Sequence, residues 1–325
     1  MADKDPIVTH VFTADPSAHV FNGKLYIYPS HDRDSGIPNN DNGDQYDMND
    51  YHVFSLEEVG GPVTDHGVVL KQEDIPWVSK QLWAPDAATK NGKYYLYFPA
   101  RDKDGIFRVG VAVGDKPEGP FQPEPEPIKG TFSIDPATFV DDDGQAYLYF
   151  GGIWGGQLQC WTTREFVRDK YSIMEAQEGP ALTAKVAKLN EDMVSLASDV
   201  QDVVILDEEG KPLLASDHDR RFFEAAWLHK YNGKYYFSYS TGDTHFLCYA
   251  TSDSPLGPFT YGGRILEPVI GWTTHHSIAE FKGKWYLFYH DTAISRRNHL
   301  RNVKIREIVY DGEGKIRLAE AQPKI

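Results

Sequence analysis

Five stretches of the chain alternate aromatic and aliphatic residues directly after a tight-turn dipeptide. Asn22-Gly23 opens NGKLYIYPS, Asn91-Gly92 opens NGKYYLYFPA, Asp143-Gly144 opens DGQAYLYFGG, Asn232-Gly233 opens NGKYYFSYS, and Lys282-Gly283 opens KGKWYLFYHD. Asn and Gly accept the positive φ that a two-residue type I′ turn requires, so each dipeptide predicts a β-hairpin. Short apolar strands precede the turns, as at Ser17–Phe21, Ala137–Val140 and Ala225–Tyr231. The second and fourth units continue alike, with VAVGDKPEGPF at Val111–Phe121 and YATSDSPLGPF at Tyr249–Phe259, which predicts a shared outer-strand turn. Five such units, with almost no 3.6-residue periodicity, predict an all-β fold, a five-bladed β-propeller. One helical patch is predicted, at Ala181–Leu196 (ALTAKVAKLNEDMVSL), as an insertion between the third and fourth units. Nothing resembles an interdomain linker, so residues 1–325 read as one domain.

Composition narrows the partners. Hydrophobic residues make up 41% of the chain and aromatics 13%, enough for a large core and against disorder. The formal net charge of −15 disfavours nucleic acid and anionic membranes, which would be repelled at long range, and leaves a neutral ligand or a cation. No run of about 18 apolar residues occurs, and the opening Met1–Pro6 has no apolar leader core, so the chain reads as cytoplasmic. Cys160 and Cys248 lie far apart without metal-type spacing and read as two buried thiols.

The chemistry-bearing residues sit just ahead of the turns. Asp15, Asp135, Glu224 and His275 each stand eight or nine residues before the turn glycine of their own unit. Innermost propeller strands run along the central channel, so these positions converge on one pocket. Asp-Pro alone is a common turn dipeptide, but a carboxylate opening an apolar strand, as Glu224 does, is costly unless paired or functional. Three carboxylates in a confined pocket cannot all keep ordinary pKa values. That is the requirement of two-carboxylate glycoside hydrolysis, one group neutral to protonate the leaving oxygen and one ionised to activate water. On this reading Glu224, in the more apolar setting, is the general acid and Asp15 the better general base, with the third carboxylate orienting the acid. Trp83, opening the second unit's inner strand, would offer a flat wall to a sugar face, and Trp154 on a glycine-rich turn is a further candidate.

ADPSAHVFNGKLYIYPSHD at Ala14–Asp32, LWAPDA at Leu82–Ala87, SIDPATF at Ser133–Phe139, FEAAWLHKYNGKYYFSYS at Phe223–Ser240 and HHSIAEFKGKWYLFYHD at His275–Asp291 together resemble glycoside hydrolase family 43. The resemblance implies an inverting enzyme acting on arabinose- and xylose-containing polysaccharides, with Asp15 as base, Asp135 as pKa modulator and Glu224 as acid. Inversion would set the base and acid carboxyls roughly 6.5–9.5 Å apart. It also implies a substrate-binding arginine, best matched by Arg301 with Arg296 and Arg297 as competitors. A central calcium ion held by one histidine is implied too, at His275 or alternatively His276. The Asp/Asn-rich Asp32–Asp50 lacks the EF-hand order and reads as a solvated loop at the pocket rim.

Longer relatives append a β-sandwich that helps close the pocket; here Ile325 follows soon after the fifth unit, so closure is expected from loops or from a neighbouring copy in a homo-oligomer. Walls built by Asp32–Asp50 and the Ala181–Leu196 insertion would suit short substrates. The leading expectation is therefore an exo-acting β-xylosidase/α-L-arabinofuranosidase cleaving small oligosaccharides. An endo-α-1,5-arabinanase with an open groove is the alternative within the enzyme class, and a noncatalytic sugar-binding propeller the alternative outside it.

Overall fold

The aromatic runs form strands because both of their faces are covered. The computed structural model describes residues 5–161, 165–168 and 179–320, arranged as five sheets around a central channel, antiparallel except for one edge strand. The first blade is β1 (Phe12–Phe21), β2 (Lys24–Asp32), β3 (Asp50–Leu56) and β4 (Thr64–Lys71). The second holds β5 (Val78–Lys80), β6 (Asp86–Lys90), β7 (Lys93–Asp102), β8 (Phe107–Gly114) and β9 (Gln122–Pro123). The third is β10 (Ala137–Val140), β11 (Ala146–Phe150), β12 (Lys185–Lys188) and β13 (Gln201–Asp202). The fourth runs β15 (Glu224–Tyr231), β16 (Lys234–Ser240), β17 (Leu247–Ser252) and β18 (Phe259–Leu266), with β14 (Ile205–Leu206) parallel to β18 at its outer edge. The fifth is β19 (His276–Phe281), β20 (Lys284–Asp291), β21 (Asn302–Tyr310) and β22 (Ile316–Leu318).

Strand β7 shows how the blades stack. Leu96, Phe98 and Ala100 pack into a cluster shared with the first blade, whereas Tyr95 and Tyr97 pack into one shared with the third. The period-2 alternation therefore separates two apolar interfaces rather than core from water, and the strand reads as a continuous apolar run. Strand β2 does the same, Leu25 and Ile27 meeting the fifth blade and Tyr26 and Tyr28 the second. The ring closes where the leading segment crosses the last blade, Ile7 N–H donating to Val303 O at 2.9 Å and Thr13 N–H to Arg301 O at 2.8 Å. Both thiols are free and buried.

Two expectations are corrected. Four of the hairpins have both turn residues at positive φ, Lys282 (54°) and Gly283 (77°) among them. At the third, only Gly144 (82°) does, and Asp141 pairs with Gln145 across a wider turn. That turn is a three-residue loop closed by the glycine. The segment Ala181–Leu196 is not helical. Its Lys185–Lys188 is the third strand of blade three, in register with β11 from Tyr147↔Lys188 to Phe150↔Lys185, and Leu189 bridges Leu196 after it. Ala, Leu and Lys favour helix in isolation, but pairing with an exposed strand edge and burial of Val186 and Ala187 override that preference.

Candidate active site

Three inner strands carry an irregular step at or near their leading ends, and the carboxylate at each step lines one shared cavity. Asp15 has φ +48° and lies in a break of the β1–β2 register between Ala14 and Ser17. Asp135 has φ +57° just ahead of β10. Ala225, next after Glu224, has φ +60° within a register break of the β15–β16 pair. Left-handed non-glycine residues cost about 1–3 kcal/mol each and persist where the surroundings over-determine them. A bulge of this kind re-aims the neighbouring side chain.

Asp15, Asp135, Glu224 and His275 line one cavity of about 230 Å³. Asp15 is 5% exposed and Asp135 3%, whereas Glu224 is half-buried. The carboxylates are held differently. Asp15 accepts from Arg301 Nη1 at 2.9 Å and from the Ser30 hydroxyl at 2.7 Å. Burial alone would raise its pKa, but Arg301 above all, with His275 and the Ser30 hydroxyl, outweighs it and holds the carboxyl down at about 2. Asp135 accepts the Ala225 N–H at 2.7 Å, and burial, partly offset by His275, pushes it up to about 6. Glu224 is pushed well above the ordinary range by burial and by the neighbouring Asp135 and Asp15. The same pocket thus favours the ionised form of one acid and the protonated form of another.

His275 Nδ1 stands 3.8 Å from Asp15 Oδ1 and 3.7 Å from Asp135 Oδ2. His276 faces the other way, buried against Ser238 Oγ at 2.6 Å, so of the two histidines it is His275 that reaches the pocket. Arg301 is buried, gripped by Asp32 through Nε (2.8 Å) and Nη2 (2.7 Å), and lies over the Tyr46 ring at 4.9 Å. Arg297 pairs with exposed Asp34 instead, and neither it nor Arg296 lines the cavity. Trp83 and Trp154 both line it, with Tyr46, Phe223 and Trp272 completing an aromatic wall. Trp83 precedes β6; the acid that opens β6, Asp86, faces the ring instead, accepting from Ser17 Oγ and the Thr138 N–H and so joining blades one, two and three.

Residues 39–48 of the first blade's long loop supply one side of the cavity, as the rim reading expects. Residues 181–196 supply none, being outer-strand structure of blade three, so the wall expected there comes instead from the Ile153–Gly156 turn.

Sequence reasoning missed Asp32, Ser30, His290 and Tyr46. The signal was present: Ser30 and His290 both stand seven residues after their turn glycine, at equivalent places on the second strand of blades one and five. Both touch Asp15, Ser30 at its carboxylate and His290 Nδ1 by accepting the Asp15 N–H at 3.0 Å. Because Nδ1 accepts, His290 is the neutral Nε2–H form, in keeping with a pKa that burial lowers to about 3.

The site's ancestry is plain from its relatives. The family model for glycosyl hydrolases family 43 matches residues 4–316. A xylosidase/arabinosidase of Humicola insolens is 70% identical over 96% of this chain and 98% of its own length, and one of Bacteroides ovatus is 58% identical over 97% of each. Among solved structures, a family 43 β-xylosidase/α-arabinofuranosidase from a compost metagenome, in complex with xylotriose in a calcium-free form, superposes with a TM-score of 0.95 at 61% identity, covering 99% of this chain and 98% of that one. A Xanthomonas citri enzyme complexed with xylotriose gives 0.91 at 56% identity, covering 96% and 92%. With its propeller, its three convergent carboxylates and these relatives, the chain belongs to glycosyl hydrolase family 43.

Proposed function

We propose that the protein is an inverting exo-glycosidase that releases terminal β-D-xylose, and α-L-arabinofuranose, from short oligosaccharides. The observation that carries this reading is that Asp15 and Glu224 line one small cavity in opposite settings, Asp15 bonded to Arg301 and favoured as the carboxylate, Glu224 beside two other acids and favoured in its protonated form. Asp15, ionised beside Arg301, takes a proton from water as that water attacks the anomeric carbon. Glu224, neutral, donates its proton to the departing glycosidic oxygen. Asp135, bonded to the backbone beside Glu224, fixes the acid strand and keeps the acid protonated by its own charge. The xylosidase/arabinosidase relatives and the xylotriose-bound neighbours support pentose substrates.

The cavity, below the roughly 300–1,000 Å³ of drug-sized ligand sites, suits one terminal sugar, with Trp83 as its flat wall. Arg301 borders it and serves the substrate as well as Asp15. His275, ringed by Asp15 and Asp135, fits a calcium ion that takes one imidazole and waters; when bound, such an ion supplies positive charge to the cavity floor. The test is hydrolysis of aryl β-xyloside, aryl α-arabinofuranoside and linear arabinan side by side, with NMR of the first-formed anomer. Inverted xylose from the first substrate is expected. Retained product, or arabinan cleaved in preference to both aryl glycosides, would overturn the reading.

A further inference from the structure

The loop that walls the cavity leaves and rejoins the first blade at a cluster of side chains that the catalytic site does not use. His31 stands near the end of β2 and Asp50 opens β3. The strand register, with Ser30 opposite Tyr51, sets these two across from each other and puts His52 on the same face. One ligand atom from each of His31, Asp50 and His52 lies within 4.8 Å of the others. His31 Nδ1 is 2.5 Å from Asp50 Oδ1, and the two imidazole rings are 4.5 Å apart. Asp65 on β4 holds His52 Nδ1 at 3.2 Å, and its other oxygen lies 2.7 Å from His10 Nε2. With Nδ1–H bonded to a carboxylate, His52 presents Nε2 as a lone-pair donor, the arrangement that orients histidines on metals. The side chains of His31, Asp50 and His52 are 23%, 20% and 12% exposed, so an ion can enter from solvent.

We propose that His31, Asp50 and His52 form a binding site for a divalent transition ion of the zinc class, the ion replacing the proton shared by His31 and Asp50, with Asp65 orienting His52 from behind. Two imidazoles and one carboxylate suit zinc, nickel or copper rather than calcium, and a water would complete four-coordination. The ion ties together the two ends of the loop, whose Gln45, Tyr46 and Met48 line the cavity, next to Asp32, which holds Arg301. It is separate from any ion at His275 and does not depend on which sugar is cleaved.

Metal-free full-length protein is titrated with cobalt(II) chloride, followed by visible d–d absorption, and with zinc chloride, followed by calorimetry. One saturable equivalent with imidazole-type absorption is expected for the wild type and for His275→Gln. Asp65→Asn should bind at least about tenfold more weakly, and His31→Gln/His52→Gln not at all. Zinc should raise the thermal midpoint of the wild type but not of the double variant; should the latter fail to fold, the near-isosteric Asp50→Asn gives the same comparison. No saturable binding by the wild type, undiminished binding by the double variant and Asp50→Asn, or binding that vanishes in His275→Gln alone would each overturn the proposal.

Discussion

Arg301 Nη1 donates to Asp15 Oδ1 at 2.9 Å while Asp32 grips the other side of the same guanidinium. The arginine therefore favours the ionised form of Asp15 and is itself held in place by a second buried acid. Arg301→Lys removes the fork that serves both carboxylates at once. The acid limb of the kcat/KM profile should then move to higher pH. Arg301→Met should cost about 3–5 kcal/mol of stability, because Asp15 and Asp32 would be left as uncompensated buried charges. An unmoved acid limb in Arg301→Lys would show that Asp15 does not owe its ionisation to the arginine.

Glu224→Gln keeps the shape of the side chain and removes its proton. On a natural oligosaccharide the loss should be on the order of 10³-fold in kcat, within the about 10²–10⁴ typical of general acid–base groups. On an aryl glycoside whose phenol leaves without protonation the loss should be much smaller. Asp15→Asn should lose activity equally on both substrates, because water activation is needed whatever the leaving group. A leaving-group dependence in Asp15→Asn, and none in Glu224→Gln, would reverse the two roles.

The four polar residues of this site that the sequence placed together are those carried by the repeat, whereas Arg301 was reached only through the family resemblance. Asp15, Asp135, Glu224 and His275 share a place relative to a turn glycine, and the ring geometry does the rest. Ser30 and His290 obey the same rule one strand further out, so their contact with Asp15 was legible in principle. Asp32 was not, because its partner Arg301 lies 269 residues away across the ring closure and no local pattern pairs them. The strand at Lys185–Lys188 was misread for the opposite reason: its local composition favours helix, and only the free edge of β11 makes it a strand.

Stability should respond to pH in two senses. Burial raises Asp135 and Glu224, so the folded chain binds their protons more tightly than the unfolded chain does. That contribution is full below their ordinary values near 4 and is lost as pH rises through about 6 and beyond. Asp15 is lowered from 3.8 to about 2, so its contribution is present above the ordinary value and is lost as pH falls toward 2. Glu224→Gln removes a group that must be charged at a cost at high pH. Its thermal midpoint should exceed that of the wild type by about 2 °C or more at pH 8, corresponding to roughly 1 kcal/mol. The difference should vanish near pH 4. A gain that is the same at both pH values would contradict this assignment.

Removing divalent ions tests the floor of the cavity. Dialysis against EDTA should lower kcat, and calcium should restore it, if the ion adds positive charge beside Asp15 and Asp135. His275→Ala should lose the calcium response while still folding, since the ring is half-buried and its nearest carboxylates have other partners. Activity indifferent to both treatments would remove calcium from the reading of this site.

Gly43 sits at φ +74° where the loop crosses the face of Trp83, and a Cβ there would lie 2.6 Å from Trp83 Cη2 and 2.8 Å from Cζ2. The indole cannot easily retreat, because its Nε1 donates to Tyr46 O at 2.7 Å and its ring packs on Phe107 at 4.6 Å between centroids. The loop cannot easily lift either, since Gln81 Nε2 donates to the Gly43 carbonyl at 2.9 Å. Gly43→Ala must therefore displace either the flat wall of the cavity or the strap that closes it, and the left-handed backbone adds about 1 kcal/mol of strain. Neither change touches the carboxylates. KM for short oligosaccharides should rise at least about tenfold, a misfit worth 1–3 kcal/mol in a pocket of this kind, while the pH profile keeps its shape. A lowered kcat with unchanged KM would mean that Trp83 and its loop position the catalytic groups rather than the sugar.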